Sequence, residues 1–313
     1  MVEGGRVMFS CKVTSQNSQN DAVEYVVTTD ESIIDLSNNI ISADSKLGRK
    51  LYDMVNSGVE IFIWKGVRYK IFDVIRYRSY SEMMGYRSTE GKKIAEIILI
   101  NKVKYLIHFT RIENLNSILE HGILSVRELD SMKIPYINND FSRYDSRTDC
   151  SCFSIEFPND SLLSSFQKRQ MDSSWIVFLI DVSILIAFDI EKQFCIHNAA
   201  SKGISQKVKY NQLKTAEDFQ SMFSNQIEFK KNNGEFHIER KVDKRYLTTS
   251  NQAEILIKGI VDSKYINGII SRNQEDKLIV DEIVKKNGME KTIESILEPR
   301  YFMARSKVRF KER

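Results

Sequence analysis

The chain has 313 residues, of which 42% are hydrophobic and 28% are charged, and its formal net charge is +4. This composition is typical of a soluble globular protein and excludes a disordered chain, and the length is sufficient for two domains. The mildly basic balance permits a nucleic-acid partner without requiring one.

Membrane association is not expected from the hydropathy pattern. A spanning helix needs about 18 or more consecutive apolar residues. The most apolar stretch, residues 175–188, is shorter and is interrupted by Asp181. The first residues also lack the basic and apolar pattern of a secretory signal. We therefore expect a cytoplasmic protein.

Metal binding is not expected from the cysteines. Cys150 and Cys152 are separated by one residue, which is too close for a zinc knuckle, and no Cys or His pair is spaced to complete such a site. We expect all four cysteines, which include Cys11 and Cys195, to be buried thiols.

Residues 1–80 are predicted to form a small β-rich domain. Alternating apolar residues or apolar runs indicate strands within residues 6–13, 24–28, 61–64 and 69–75. Ser45 is a candidate N-cap for a helix that extends to about Met54. Residues 81–103 are predicted to be a linker, and residues 104–313 a second domain. The basic and aromatic residues 76–80 fit either single-stranded nucleic acid or a solvated linker.

The second domain is predicted to open with a strand over residues 104–111, which carries His108 and Thr110. A helix with apolar residues on one face follows, and Gly122 is expected to end it. His108 and Thr110 have the chemistry to bind the ribose and amide of a dinucleotide. From the residues alone, a histidine packed in the core is the favoured alternative.

Two arginines precede the next strand. Arg143 and Arg147 are candidates to clamp a pyrophosphate, because a guanidinium makes bidentate contacts and stays charged. Two solvated surface arginines are the alternative at this stage.

Glu254 begins an apolar, β-prone run that ends at Ile257. A carboxylate at a strand edge can hold a sugar hydroxyl and accept a proton during glycosyl transfer. The alternative is a solvated glutamate at the start of a strand. Further along, residues 274–298 are predicted to be a helix. The basic tail, residues 300–313, is predicted either to contact a phosphate backbone or to be frayed.

The second domain resembles the DarT family of nucleic-acid ADP-ribosyltransferases, whose members are toxins of toxin–antitoxin and anti-phage systems. The residues that carry the resemblance occur in the family's order. They are Tyr105-Leu-Ile-His-Phe-Thr110, Arg143-Tyr-Asp-Ser146, Phe153-Ser-Ile-Glu-Phe-Pro-Asn159, Asn198-Ala-Ala200 and Gln252-Ala-Glu-Ile-Leu256. The family's Arg-Leu-Asp-Gly block is Arg143-Tyr144-Asp145-Ser146 here, so a glycine turn is missing.

The resemblance implies an α+β fold in which a split mixed β-sheet with flanking helices binds NAD⁺ in a cleft, without a metal. It assigns Glu254 to the reacting ribose 2′-hydroxyl and to the proton of the attacking base, and Arg143 to phosphate and to bracing the site. His108, with Thr110 assisting, would hold a ribose of NAD⁺. Arg147 is the second candidate for the phosphate, and Asn198 is a further cofactor-binding candidate.

The resemblance also implies the acceptor and the partners. The acceptor would be a base of single-stranded DNA or RNA, since a base inside a duplex is hard to reach. The toxin would be held in check by an antitoxin, with or without a chaperone. A protein acceptor or plain NAD⁺ hydrolysis is the alternative reaction.

Residues 1–80 resemble the C-terminal, FKBP-like domain of the bacterial Gre transcript-cleavage factors. The likeness runs through residues 40–51 and a following strand pair. Ser45-Lys46-Leu47-Gly48 occupies the place of the family's serine-proline-leucine-glycine turn, so the proline is missing. The resemblance implies a docking domain, for RNA polymerase or another partner. A non-enzymatic, transcription-linked binding module is therefore the alternative function for the protein.

Overall fold

The computed structural model describes residues 7–15, 22–138, 146–231 and 234–310. The chain divides into two compact units, Met1–Met84 and Gly85–Arg313. None of the helices described is long and apolar enough to cross a membrane.

The described part of the N-terminal unit contains a five-stranded sheet in the order β3-β2-β1-β5-β4. Its elements are β1 (Met8–Ser15), β2 (Val23–Thr28), β3 (Ile40–Ser42), helix α1 (Lys46–Ser57), β4 (Ile61–Trp64) and β5 (Val67–Arg76). The prediction of a β-rich unit is therefore confirmed, with β3 as a strand that the sequence did not indicate.

Helix α1 packs on one face of this sheet. Alternate residues of β1, among them Phe9 and Cys11, form a core with Leu51 of the helix. The predicted cap is confirmed, since the Ser45 side chain accepts a hydrogen bond from the Gly48 backbone N–H. Gly48 is required there, because a Cβ atom would lie 2.0 Å from the Ser42 carbonyl oxygen. Burial raises the pKa of the Cys11 thiol to about 12, as expected for a buried, inert cysteine.

The segment expected to be a linker, residues 81–103, is helical instead. It contains most of α2 (Tyr80–Arg87) and all of α3 (Thr89–Asn101), and the Ser88 side chain caps α3 by accepting from the Gly91 N–H. Ile94 and Ile97 belong to the main core of the C-terminal unit. Both residues lie in a short apolar run, and a run of this length does not by itself identify a helix.

The C-terminal unit is built on a mixed sheet that has seven strands within the described residues, in the order β10-β13-β8-β6-β9-β15-β16. The strands of the unit are β6 (Tyr105–Arg111), β7 (Ile123–Leu124), β8 (Cys150–Ile155), β9 (Trp175–Asp181), β10 (Lys192–Cys195), β11 (Gln226–Lys231), β12 (Gly234–Glu239), β13 (Glu254–Lys258), β14 (Ile260–Val261), β15 (Ile266–Ser271) and β16 (Glu294–Leu297). The helices that follow α3 are α4 (Leu115–His121), α5 (Val126–Met132), α6 (Asp160–Arg169), α7 (Lys202–Lys209), α8 (Ala216–Ser221) and α9 (Gln274–Lys286).

The sheet is split between β6 and β8. These strands pair at Leu106 with Ile155 and at Ile107 with Ser154, whereas β6 pairs with β9 along its whole length. Beyond Ile107 the two halves of the sheet therefore diverge and leave a cleft. Most of the ladders are antiparallel, but β15 pairs with β16 in parallel. The predicted α+β class with a split mixed sheet and flanking helices is confirmed.

The helix predicted over residues 274–298 is shorter than expected. Helix α9 ends at Lys286, and Gly288 follows with φ of +68°. The chain then enters β16, which extends the sheet by pairing with β15. The prediction was wrong for residues 287–298. Within this range Glu294–Leu297 form a strand, because they pair with β15, which is distant in sequence.

Candidate active site

The cleft between the two halves of the sheet holds a cavity of about 380 Å³. Its walls come from β6, β8, α6, the loop after β10 and the first residue of β13. His108, Thr110, Asn198 and Glu254, all selected from the sequence, line it together. These four predicted site residues are therefore brought to one place, although they are spread over 147 positions from His108 to Glu254.

Glu254 is buried in the wall of this cavity, with 6% of its surface exposed. Its carboxylate accepts hydrogen bonds from the Ala199 backbone N–H (2.9 Å), from Nδ2 of Asn198 (3.2 Å) and from Nδ2 of Asn159 (3.4 Å). A buried carboxylate needs such donors, because burial without them is costly. The alternative of a solvated strand-start glutamate is excluded.

The strand register explains how Asn198 and Ala199 reach Glu254. Cys195, the last residue of β10, pairs with Glu254, the first residue of β13. The chain leaves β10 at this point, so the loop that follows passes directly over the carboxylate. The side-chain oxygen of Asn198 accepts from the Ala200 N–H (2.9 Å), which holds the amide with its nitrogen toward Glu254.

His108 links the two halves of the sheet where the backbone ladder ends. Its Nδ1 lies 3.0 Å from the Cys152 carbonyl oxygen on β8. A carbonyl only accepts, so Nδ1 carries the hydrogen in this contact. The ring packs beside Phe153, with 5.4 Å between the ring centroids. His108 is therefore both packed and on the cavity wall, and the two alternatives for this residue are not exclusive.

Thr110 is buried two residues further along β6. Its hydroxyl accepts from Nδ2 of Asn114 (2.9 Å). Asn114 also donates to the Ile137 carbonyl (3.0 Å) and accepts from the Ile137 N–H (2.8 Å), which ties residues 134–138 to the start of α4. Asn114 lines the cavity but was assigned no role from the sequence.

The two predicted arginines have different outcomes. Arg143 lies outside the described residues. Arg147 is not among the described residues that line the cavity, and its contact with phosphate stays a prediction. Its Nε donates to Asp149 (2.8 Å), and its other nitrogens contact Gln193 and Cys150. Burial is the largest single effect and lowers the pKa of Arg147, but the hydrogen bond to Asp149 and the interactions with Cys150 and Asp149 together outweigh it, so the pKa is raised. Arg147 forms an internal ion pair with Asp149.

Asn159 is a site residue that sequence reasoning missed. Its oxygen accepts from the Leu162 N–H (3.2 Å) and caps α6, and its nitrogen donates to Glu254. The chain reaches it through a tight turn in which Glu156 has φ of +61° and the Phe157 N–H donates to the Ile155 carbonyl (2.7 Å). Asparagine before a helical stretch is an N-cap signal and would have located the residue, though not its contact with Glu254.

Arg305, in the described part of the basic tail, packs against the site's scaffold. Arg305 donates through its backbone N–H to Asp160 (2.9 Å), and its guanidinium donates to the carbonyls of Thr248 (3.0 Å) and Thr249 (3.3 Å). Burial lowers the pKa of Arg305 to about 10. For Arg305, both sequence-based alternatives, a phosphate contact and a frayed end, are wrong. The residue joins the start of α6 to the segment that leads into Glu254.

The cysteines are thiols, and all four are described. Cys11, Cys150 and Cys195 are buried as expected, whereas Cys152 is half-buried in the cavity wall. In the described ranges, no group of three or more His, Cys, Asp or Glu residues is placed to hold a metal ion.

The family model described as "ssDNA thymidine ADP-ribosyltransferase, DarT" matches residues 107–303. A structure of Thermosipho africanus DarTG in complex with ADP-ribose aligns at 21% identity with a TM-score of 0.40, over 64% of this chain and 51% of that chain. This chain thus spans about half the length of that relative. Thermus sp. 2.9 DarT in complex with NAD⁺ aligns at 13% identity with a TM-score of 0.41, over 64% of this chain and 98% of that chain. The same Thermus protein in complex with ADP-ribosylated ssDNA gives 13% identity, a TM-score of 0.43 and coverages of 64% and 97%. None of the curated proteins matches significantly.

The family model covers well over half of the chain, and the chain belongs to the DarT family. The activity named in the family's description agrees with the predicted ADP-ribosyltransferase. The match begins at Ile107 and ends at Met303, so it contains His108, Thr110, Asn198 and Glu254.

Proposed function

We propose that the protein transfers ADP-ribose from NAD⁺ to a base of single-stranded DNA, with Glu254 as the catalytic carboxylate. The observation that carries this proposal is the buried Glu254 carboxylate, held by three hydrogen-bond donors in the wall of the cleft. In such a site the carboxylate is fixed in position before the substrates bind.

The chemistry proposed for Glu254 follows from the bond that breaks. The bond between the nicotinamide nitrogen and C1′ of the ribose breaks, and its electron pair leaves with nicotinamide. Positive charge develops on the sugar ring, as in glycoside hydrolysis. Glu254 stabilises this charge through the 2′-hydroxyl. A nitrogen of the acceptor base then bonds to C1′, and its proton passes to the carboxylate.

The other predicted residues have supporting roles in this proposal. His108 and Thr110 hold a ribose of NAD⁺ from the β6 wall. Asn198 orients the carboxylate through its 3.2 Å hydrogen bond and borders the place of the sugar. Arg143 remains the candidate for binding phosphate and bracing the site.

The proposed acceptor is a base in unpaired DNA. The family's description names single-stranded DNA and thymidine, which supports a pyrimidine acceptor. An unpaired base can enter the cleft without the free-energy cost of unstacking a duplex. RNA and other bases are the alternatives that an assay must separate.

The test is transfer from labelled NAD⁺ to DNA and RNA oligonucleotides, single- and double-stranded, with product mass measured by mass spectrometry. We expect an added ADP-ribose on single-stranded DNA, and none with Glu254→Ala. Label found on protein, or NAD⁺ hydrolysis without any labelled acceptor, would contradict the proposed acceptor.

A cellular role as a toxin restrained by an antitoxin is proposed from the family resemblance. Induced expression of the wild-type chain should arrest growth of a bacterial host, whereas Glu254→Ala should not. Equal arrest by both chains would exclude a role for the transfer reaction. Co-expression of the chain with a candidate antitoxin, followed by purification, would test for an antitoxin and an associated chaperone.

A docking role is proposed for the N-terminal unit, with RNA polymerase as the first partner to test. The support is the likeness in residues 40–51 and the capped helix α1 beside a five-stranded sheet. Co-purification with RNA polymerase should survive Glu254→Ala and be lost when residues 1–80 are removed. Co-purification that persists without these residues would contradict the proposal.

A further inference from the structure

One face of helix α6 lines the cleft from end to end. Asn159, Leu162, Phe166 and Arg169 all border the cavity, and their spacing places them on the same side of the helix. The helix has ten residues and is about 15 Å long at 1.5 Å per residue. The same face therefore carries a hydrogen-bond donor to Glu254 at its start and a guanidinium at its far end.

The charge of the cavity wall makes Arg169 distinctive. Among the described lining residues, Arg169 is the one arginine or lysine and Glu254 the one aspartate or glutamate. Both substrates of the proposed reaction are anionic, since NAD⁺ contains a pyrophosphate and a DNA strand carries one charge per nucleotide. An anion that enters a cleft is stabilised by a nearby cation, and a guanidinium binds phosphoryl oxygens with two parallel hydrogen bonds.

Arg169 is also held in place before any ligand binds. Its guanidinium carbon lies 5.0 Å from the centroid of the Phe166 ring, an arrangement typical of a cation–π contact. Nε donates to the Ser165 carbonyl (3.3 Å), and a terminal nitrogen donates to the Ser165 hydroxyl (3.2 Å). A guanidinium has five N–H donors, so these two bonds leave three for a ligand. Little side-chain entropy is then lost on binding.

We propose that Arg169 is a phosphoryl-binding residue of the cleft. Its ligand is the pyrophosphate of NAD⁺ or a phosphodiester of the acceptor strand, a choice that rests on the proposed function. The position gives the cleft a cation that depends on neither Arg143 nor Arg147.

A simpler role for Arg169 must be separated by experiment. A basic residue in the last turn stabilises a helix through its dipole whether or not it binds a ligand. Lys168 is the matched control, because it also lies in the last turn of α6 and is exposed but does not line the cavity. Arg169→Ala and Lys168→Ala should lower the melting temperature by similar, small amounts.

The test measures the affinity of inorganic pyrophosphate, NAD⁺ and a single-stranded oligonucleotide, each by titration calorimetry. The full chain carries Glu254→Gln, which slows transfer so that binding can be measured without appreciable turnover. Arg169→Ala should weaken pyrophosphate about tenfold or more, as loss of a charge-assisted hydrogen bond does. Lys168→Ala should leave all three affinities unchanged. If the affinity for NAD⁺ falls as well, the phosphoryl group bound by Arg169 is that of the co-substrate. If the affinity for the oligonucleotide falls instead, the bound group is a phosphodiester of the acceptor strand.

Equal affinities of Arg169→Ala and the parent chain for all three ligands would overturn the proposal, as would failure of the parent chain to bind any of them. Because inorganic pyrophosphate binding requires no transfer reaction, its loss in Arg169→Ala would support the phosphoryl site even if the proposed acceptor is wrong.

Discussion

At the level of single side chains, Asn159 has two roles that mutation can separate. It caps α6 and donates to Glu254. Asn159→Ala removes both contacts, so it should cost about 1 kcal/mol of unfolding free energy and also slow transfer. Asn159→Ser keeps a capping oxygen but is too short to reach the carboxylate. Asn159→Ser should therefore unfold at a denaturant concentration close to that of the wild type, and its transfer of ADP-ribose should still be slow.

Urea unfolding and single-turnover transfer, measured on both variants, check this assignment. Wild-type transfer by Asn159→Ser would show that the 3.4 Å contact with Glu254 is not needed for the reaction.

Lys192, which is half-buried at the start of β10, provides a test of how stability depends on pH. Burial lowers the pKa of Lys192 to about 8, against an ordinary value of 10.5, although Asp189 and Glu90 act in the opposite direction. Between pH about 8 and 10.5 the unfolded chain binds more protons at this site than the folded chain. The free energy of unfolding should therefore rise with pH in that window, and the rise should be absent below it.

Lys192→Met is the comparison, because it keeps the length of the side chain and removes the titration. Urea unfolding at several values between pH 7 and 10 should show a smaller rise for Lys192→Met than for the wild type. Identical slopes for the two proteins would contradict a depressed lysine pKa.

At the level of secondary-structure elements, the C-terminal tail is expected to stabilise the active site. Arg305 bonds to the Thr248 and Thr249 carbonyls and to Asp160 at the start of α6. Arg305→Ala should cost about 1–3 kcal/mol, since buried acceptors lose their donors, and should reduce transfer. Lys307→Ala, an exposed change in the same turn, should alter neither the melting temperature nor the rate. An Arg305→Ala variant with the melting temperature and transfer rate of the wild type would contradict this role of the tail.

Gly122 is expected to be essential for the connection between α4 and β7. Its φ is +86°, and a Cβ atom would lie 2.5 Å from the Val261 carbonyl oxygen of β14. Gly288 has φ of +68° with open space around it. Gly288→Ala should lower the free energy of unfolding by about 1 kcal/mol, because alanine disfavours the left-handed conformation. Gly122→Ala should lower it further, because the clash with the Val261 carbonyl is added. Thermal unfolding should rank Gly122→Ala as clearly less stable, and equal stabilities would contradict the clash.

The sequence predicted structural features well where neighbouring residues determine them. Ser45 as a cap and Gly122 as a helix end depend on neighbouring residues, and both predictions are confirmed. Residues 287–298 and the predicted linker could not be read in this way. Within the first, residues 294–297 form a strand because β15 lies beside them. The second is helical because Ile94 and Ile97 pack into a core built by distant residues.

The site shows the same division between local and distant causes. Residue type and order selected Glu254, His108, Thr110 and Asn198, and the fold brings them to one cavity. Arg147 has the right chemistry, but Asp149, Gln193 and Cys150 engage its guanidinium instead. Asn159 and Arg169 were missed, since their positions at the two ends of α6 matter only once that helix lies along the cleft.

At the level of the complete chain, the residues proposed for transfer belong to one of the two units. The described cavity-lining residues fall between Ile107 and Glu254, and the family match starts at Ile107. A chain that begins at Ser79, with α2 intact, should therefore retain transfer to single-stranded DNA at the wild-type rate. Loss of transfer in a shortened chain that is folded by circular dichroism would assign the N-terminal unit a part in the reaction.

The decisive experiment is a single-turnover transfer assay of Glu254→Gln, with Glu191→Gln as control. Glu191 is exposed and pairs with Lys258 at the opposite end of β13. Glu254→Gln should fold normally and bind NAD⁺, yet transfer ADP-ribose about 10²–10⁴ times more slowly, as loss of a positioned general base does. Glu191→Gln should be as fast as the wild type. Transfer by Glu254→Gln at the wild-type rate would contradict the assignment of the reaction to this carboxylate.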